Sequence, residues 1–108
     1  MRTLRFIVDQ QTIKCDPNCS LEGLVPGATN YLKAEFIFSS DWNGCAKVAA
    51  FYSPLGRELP PQVLEDGKTC VIPMDALVRR SFKIQLVGRK GDLQLTTNKV
   101  EVRQGGKV

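Results

Sequence analysis

The side chains with most capacity for chemistry in this sequence are four cysteines and fifteen basic residues, and no histidine accompanies them. Without histidine the chain lacks the commonest general base and the commonest metal ligand. Cys15 and Cys19 enclose Asp16-Pro17-Asn18, while Cys45 and Cys70 stand far from them and from each other. Zinc sites present paired C-x2-4-C knuckles or histidines. One close pair, with two distant cysteines in strand-like segments, does not supply that set. Disulfides are the other use of such residues, but a chain made in the cytoplasm keeps its thiols reduced. Free thiols, buried or idle, are the expectation; a disulfide and a metal are the alternatives.

No nucleophile–base constellation appears, and neither Cys45 nor Cys70 has a helix start beside it to activate a thiol. Nothing matches the phosphate-cradling patterns G-x-x-x-x-G-K-[ST] or G-x-G-x-x-G. Glu65-Asp66 before Gly67 reads as a turn rather than a catalytic pair. The sequence therefore predicts no enzyme, no catalytic residue, no cofactor, no metal and no small-molecule substrate.

The densest charge lies in Arg79, Arg80, Lys83, Arg89 and Lys90, with no acidic residue from 79 to 90. On a strand, Lys83 and Arg89 share the wet face, and Arg79 and Arg80 approach from the preceding turn. That arrangement is a candidate basic stripe for an acidic partner surface or a phosphate backbone. Aromatic residues for base stacking are not interleaved with it, because Phe82 has core parity. A merely solvated face is the competing reading, and nucleic acid is the less favoured partner. The net charge of +4 is modest.

The elements that must position these residues follow a period of two. Leu4, Phe6 and Val8 alternate with Thr3 and Arg5. Leu32, Ala34, Phe36 and Phe38 alternate with Tyr31, Lys33, Glu35 and Ile37. Phe82, Ile84 and Leu86 oppose Ser81, Lys83, Gln85 and Arg89, and Val100 and Val102 oppose Lys99, Glu101 and Arg103. One apolar and one polar face is the mark of antiparallel strands. Segment 45–52 is apolar on both faces, with Ala46, Val48 and Ala50 against Ala49 and Phe51. It reads as a central strand or one whose outer face a partner covers, which makes Ala49 and Phe51 candidate contacts.

Turn chemistry at Asn43-Gly44, Pro54-Leu55-Gly56, Asp66-Gly67, Lys90-Gly91-Asp92 and Thr97-Asn98 separates short strands. Pro60-Pro61 confines residues 56–64 to a broken edge strand. Only residues 73–79 read as helical, for one or two turns with Leu77 and Val78 inward. The irregular stretch 15–30 reads as a connection or functional loop. The fold class expected is all-β: an antiparallel β-sandwich with one short helical turn near residues 73–79, forming a single domain over 1–103 with a frayed tail at 104–108. The first residues do not read as a secretory signal, and no apolar run approaches the roughly 20 residues that span a bilayer. A soluble protein made in the cytoplasm, without membrane contact, is expected.

Trp42, the one tryptophan, occupies SSDWNG between two apolar segments. Asn43-Gly44 reads as a tight turn between paired strands, and the indole as an anchor beneath it rather than a partner contact. Gly44, Phe36 and Phe38 join Trp42 as structural anchors.

The run FIFSSDWNGCAKVAAF resembles a pattern of small phage-encoded immunoglobulin-like domains, in which an F-x-F-S strand leads into D-W-x-G and a K-x-A-x-F strand follows. DGKTCVIP over 66–73, FKIQLVG over 82–88 and LTTNKV over 95–100 are similar to later family segments, so the resemblance spans roughly residues 31–103. It implies an immunoglobulin-like sandwich from a tailed-phage virion: a baseplate or receptor-binding-protein N-terminal domain, or a capsid decoration protein. With no fibre or receptor-binding region following it, the chain suits a decoration, cement or minor tail component. Its partners would be other virion proteins, with homo-oligomers as one form, made in the host bacterial cytoplasm and located in the virion. A phage-encoded inhibitor that binds a host protein is the alternative, followed by a nucleic-acid-binding module. The resemblance brings no catalytic or metal residue.

Overall fold

The computed structural model describes residues 2–20, 23–27 and 31–104. Strand β1 (Arg2–Asp9) turns through Gln10-Gln11 into β2 (Thr12–Cys15), and β3 is Leu32–Phe38. A single 3-10 turn, Ser40–Trp42, leads to β4 (Ala46–Tyr52) and β5 (Glu58–Val63). After β6 (Thr69–Val71) and the one-turn helix α1 (Met74–Leu77) come β7 (Ser81–Lys90), β8 (Leu93–Thr96) and β9 (Val100–Arg103).

The strands form two sheets. One has the order β2-β1-β3-β6, the other β5-β4-β7-β8, with β9 also paired to β7. The period-two alternation does what it predicts. Leu4, Phe6, Val8, Leu32, Ala34 and Phe36 from the first sheet meet Ala49, Phe51, Phe82, Ile84, Leu86 and Val102 from the second in one buried cluster. An all-β sandwich is the result. Burial of this apolar area dominates its stability, because alternate side chains of every long strand leave water together.

Several expectations need correction. The strands are antiparallel-rich but not uniformly antiparallel: among the described residues one ladder, β1 with β3, is parallel and runs from Arg2↔Leu32 to Val8↔Phe38. Alternation records which face is buried, and it is the same for either strand direction. The β1–β2 hairpin lacks turn residues, so the sequence reading passes over it; Gln10 takes φ 54°, the left-handed region that glycine or asparagine usually fills. Asn43-Gly44 does not join paired strands. It carries the chain from β3 in one sheet to β4 in the other.

In β4, an internal strand flanked by β5 and β7, Ala49 and Phe51 lie on the core face and Ala46, Val48 and Ala50 on the outer face. Ala49 and Phe51 are therefore core residues at 0% and 1% exposure, not contact residues. Strand β5 lies at the edge, and its register with β4 shifts where Pro60-Pro61 passes Ala50, as the prolines' missing donors require. In the helical turn Ala76 and Leu77 point inward and Val78 does not, being 55% exposed. A helix that ends at Leu77 leaves Val78 as its C-cap, turned toward solvent. Gln104, assigned above to the tail, is buried; its Nε2 donates to Leu77 O at 3.0 Å and Arg79 O at 2.9 Å. It thereby satisfies carbonyls that a helix terminus leaves open. Residues 105–108 lie outside the described residues, as do 21–22 and 28–30 of the irregular connection.

The Asp66-Gly67 turn is as the sequence reads it, with Gly67 at φ 80°. Its carboxylate accepts from the Thr69 hydroxyl, from Lys68 N at 3.0 Å and from Thr69 N at 2.7 Å. These donors, the Thr69 hydroxyl foremost, hold the Asp66 carboxyl well below its ordinary value of 3.8. A depressed folded value means stability that is present above the ordinary value and is lost as pH falls through the folded one. Replacing Asp66→Asn should thus lower the urea midpoint at neutral pH. The difference from wild type should shrink steadily below pH 3.8 and vanish in strong acid.

Candidate functional site

Of the predicted anchors, Trp42 is completely buried. The 3-10 turn places its ring beneath the crossover, 5.2 Å from the half-buried Phe38 ring. Phe36, also buried, stacks on Phe6 at 5.5 Å, so the aromatic line continues into the first sheet. Gly44 adopts φ 78°, and a Cβ there would meet Lys90 Nζ at 3.2 Å. The positive φ favours glycine at that point in the crossover, since the exposed lysine end could move aside.

The indole does more than fill space. Its Nε1 donates to Gln10 O at 2.8 Å, and Gln10 N donates to Ser39 Oγ at 3.0 Å. Both backbone groups of the left-handed residue are therefore held by the SSDW segment. Ser39 N completes the contact by donating to Val8 O at 2.9 Å. Space for the ring comes from Gly88 in β7, where a Cβ would lie 2.6 Å from Trp42 Cζ3 and 2.8 Å from Cε3. No sequence signal identifies Gly88, because its role is defined by a ring 46 residues earlier in the chain.

The Thr97-Asn98 segment grips the same hairpin from the other sheet. Thr97 bridges the gap between β8 and β9 along β7, with its Oγ1 accepting from Leu86 N at 3.0 Å and its N donating to Leu86 O at 3.0 Å. Asn98 then turns away from its own sheet. Its Oδ1 accepts from Ile13 N at 2.8 Å, its Nδ2 donates to Ile13 O at 3.3 Å, and its N donates to Gln11 O at 3.2 Å. A side-chain amide thus substitutes for a neighbouring strand along edge strand β2 and links the two sheets.

The predicted basic stripe does not form a continuous patch. Arg80 and Arg89 flank opposite ends of β7, about 30 Å apart at the usual strand rise. Arg79 Nε is used on Asp75 O at 3.0 Å and Arg89 Nε on Gln94 Oε1 at 3.0 Å. Lys83 and Arg89 do share the wet face, but Gln85 and Val87 lie between them, and Lys83 stands opposite Glu101. Lys90 lies against Gly44 at the crossover end.

The outer face of the second sheet carries something else. Val48 pairs with Val63 on one side and Val87 on the other, and Val87 pairs with Thr96. Valines on three adjacent strands therefore form one cross-strand row facing outward, with Val63 64% exposed. Ala46 and Ala50 flank Val48 on the same face, leaving the row flat and without charge. Tyr52 closes one end, covered by Lys99 Nζ at 4.0 Å from the ring centroid. Such a surface can contact a complementary apolar face.

All four cysteines are free thiols. Cys45 and Cys70 are buried, and burial pushes the Cys70 thiol up to about 12. Among the described residues, no group of three or more cysteine, aspartate or glutamate side chains is placed to hold a metal ion. Two shallow grooves of about 430 Å³ open on the surface, one along Lys33, Gln62 and Val71 and one along Phe38, Lys47 and Lys68. No described helix is long and apolar enough to cross a membrane.

The class that this geometry defines is a two-sheet β-sandwich with a joint at one end and an apolar outer row. Comparison of the chain with family models, curated proteins and solved structures found no match.

The joint yields four stability predictions. Trp42→Ala should cost about 3–5 kcal/mol in urea unfolding, as large-to-small core changes do. Gly88→Ala should cost about 1–3 kcal/mol by overpacking the ring. The two should be strongly non-additive in a double-mutant cycle, since the added methyl clashes only while the indole is present. Asn98→Ala should cost about 1–3 kcal/mol, because it strands both polar groups of Ile13.

Proposed function

We propose that this chain is a structural protein of a tailed-phage virion, a capsid decoration, cement or minor tail or baseplate component with an immunoglobulin-like sandwich, acting through protein–protein contacts. The observation that carries the reading is where the phage-like segments fall. SSDWNG and LTTNKV, far apart in sequence, close on the same Gln10-Gln11 hairpin and bind the two sheets into one body. A motif spent on such a joint suits a rigid building block. The residues left for work are on the outside, where the Val63–Val48–Val87 row is the surface that a neighbouring subunit would cover. Two residues offered above as contacts, Ala49 and Phe51, give way to these outward neighbours.

The test is incorporation. Particles produced with the wild-type gene should contain the chain when purified virions are analysed by mass spectrometry. Val63→Lys combined with Val87→Lys changes only outward side chains, so the variant should melt within a few degrees of wild type and be lost from the particles. Absence of the wild-type chain from purified particles would reject the virion role. Its recovery instead on a host protein from infected cells would favour the inhibitor reading.

A further inference from the structure

Two of the four thiols meet on one small loop. Cys15 ends β2 opposite Phe6, and its side chain sits half-buried at the margin of the core. The chain then folds back at once: Cys19 N donates to Asp16 O at 2.9 Å, and Asn18 N donates to Asp16 Oδ1 at 2.9 Å. This turn brings Cys19 back beside β1, the strand with which Cys15 pairs. Asp16 N donates to Arg5 O at 3.0 Å, and Arg5 N donates to Cys19 Sγ at 3.3 Å. Both sulfurs therefore flank the Arg5–Phe6 stretch of β1, and both are partly open to solvent. Cys45 and Cys70, by contrast, are buried.

We propose that Cys15 and Cys19 form a dithiol modification site, which low-molecular-weight disulfides such as oxidised glutathione convert to a Cys15–Cys19 bond. The turn supplies the proximity, and the N–H of Arg5 holds the Cys19 sulfur beside the same strand that Cys15 pairs with. Cys19 reacts first. Its deprotonated sulfur attacks one sulfur of oxidised glutathione, the glutathione S–S bond breaks, and one glutathione thiolate leaves and takes a proton. Cys15 then gives its proton to solvent and attacks the Cys19 sulfur of the mixed disulfide, expelling the second glutathione. Two protein thiols are oxidised by two electrons, and one glutathione disulfide is reduced to two thiols. The order agrees with the surroundings of Cys15, whose thiol is pushed up by burial and, secondarily, by the Cys19 sulfur.

The sequence makes the test clean. Trypsin, cutting after Lys14 and Lys33, releases peptide 15–33 with both cysteines, and Cys45 and Cys70 fall in separate peptides. Fully reduced full-length protein is held with excess oxidised glutathione, quenched in acid, denatured, alkylated and digested. Peptide 15–33 should lose two hydrogen masses and carry no alkyl group, with dithiothreitol restoring two alkylation sites. Cys15→Ser should stop at a single glutathione on Cys19. Two alkyl groups or two glutathiones on the wild-type peptide would overturn the proposal, and so would a bond from either cysteine to Cys45 or Cys70.

Discussion

The hydrogen bond from the Trp42 indole to Gln10 O is the constraint on which the rest of the arrangement depends. Gln10 holds a backbone conformation that side-chain-bearing residues seldom adopt. It persists because its carbonyl, its N–H and the following carbonyl of Gln11 are each claimed by a distant segment. Local strain of this kind is sustained only where surrounding structure over-determines it. Here the surrounding structure is the whole sandwich: the ring that reaches Gln10 also packs on Gly88 of the opposite sheet and on Phe38. Removing the indole would therefore loosen the hairpin, the crossover and the facing of the sheets together.

A joint of this kind leaves the two outer faces unencumbered. In the first sheet Arg5 pairs with Glu35 at 3.0 Å, and its neighbours Ile7 and Ile37 stand side by side on the same wet face. Exposed pairs of this sort contribute little to stability. The second sheet instead sets valines, alanines and Tyr52 across its centre and distributes its cations toward the ends of β7. The first sheet thus mixes an ion pair with the Ile7–Ile37 pair on its outer face, whereas the second sets an uninterrupted row of valines across three strands. The basic residues clustered in sequence do not cluster in space, because a ten-residue strand separates the two ends of the cluster.

Much of the fold was legible because side-chain parity is a local property. The alternations of β1, β3, β7 and β9, the edge position enforced by Pro60-Pro61 and the positive-φ glycines could all be read residue by residue. Trp42 was legible as an anchor for the same reason, since so large an apolar ring in a turn must be covered. The β1–β2 hairpin was not, because Gln10-Gln11 carries no turn chemistry and its shape is imposed from Ser39, Trp42 and Asn98. Ala49 and Phe51 face the core rather than a partner because β4 is apolar on both faces, and periodicity cannot say which of two apolar faces is the core.

The sequence by itself determined the secondary-structure type, most of the buried set and the absence of histidine chemistry. These follow from composition and period alone. Tertiary structure decided the parallel pairing of β1 with β3, the sheet to which each strand belongs and the role of Gly88. It also decided the exchange of a predicted basic stripe for an apolar row. Each of these depends on which strands become neighbours, and that choice is made by long-range packing and hydrogen bonding, whose partners lie tens of residues apart.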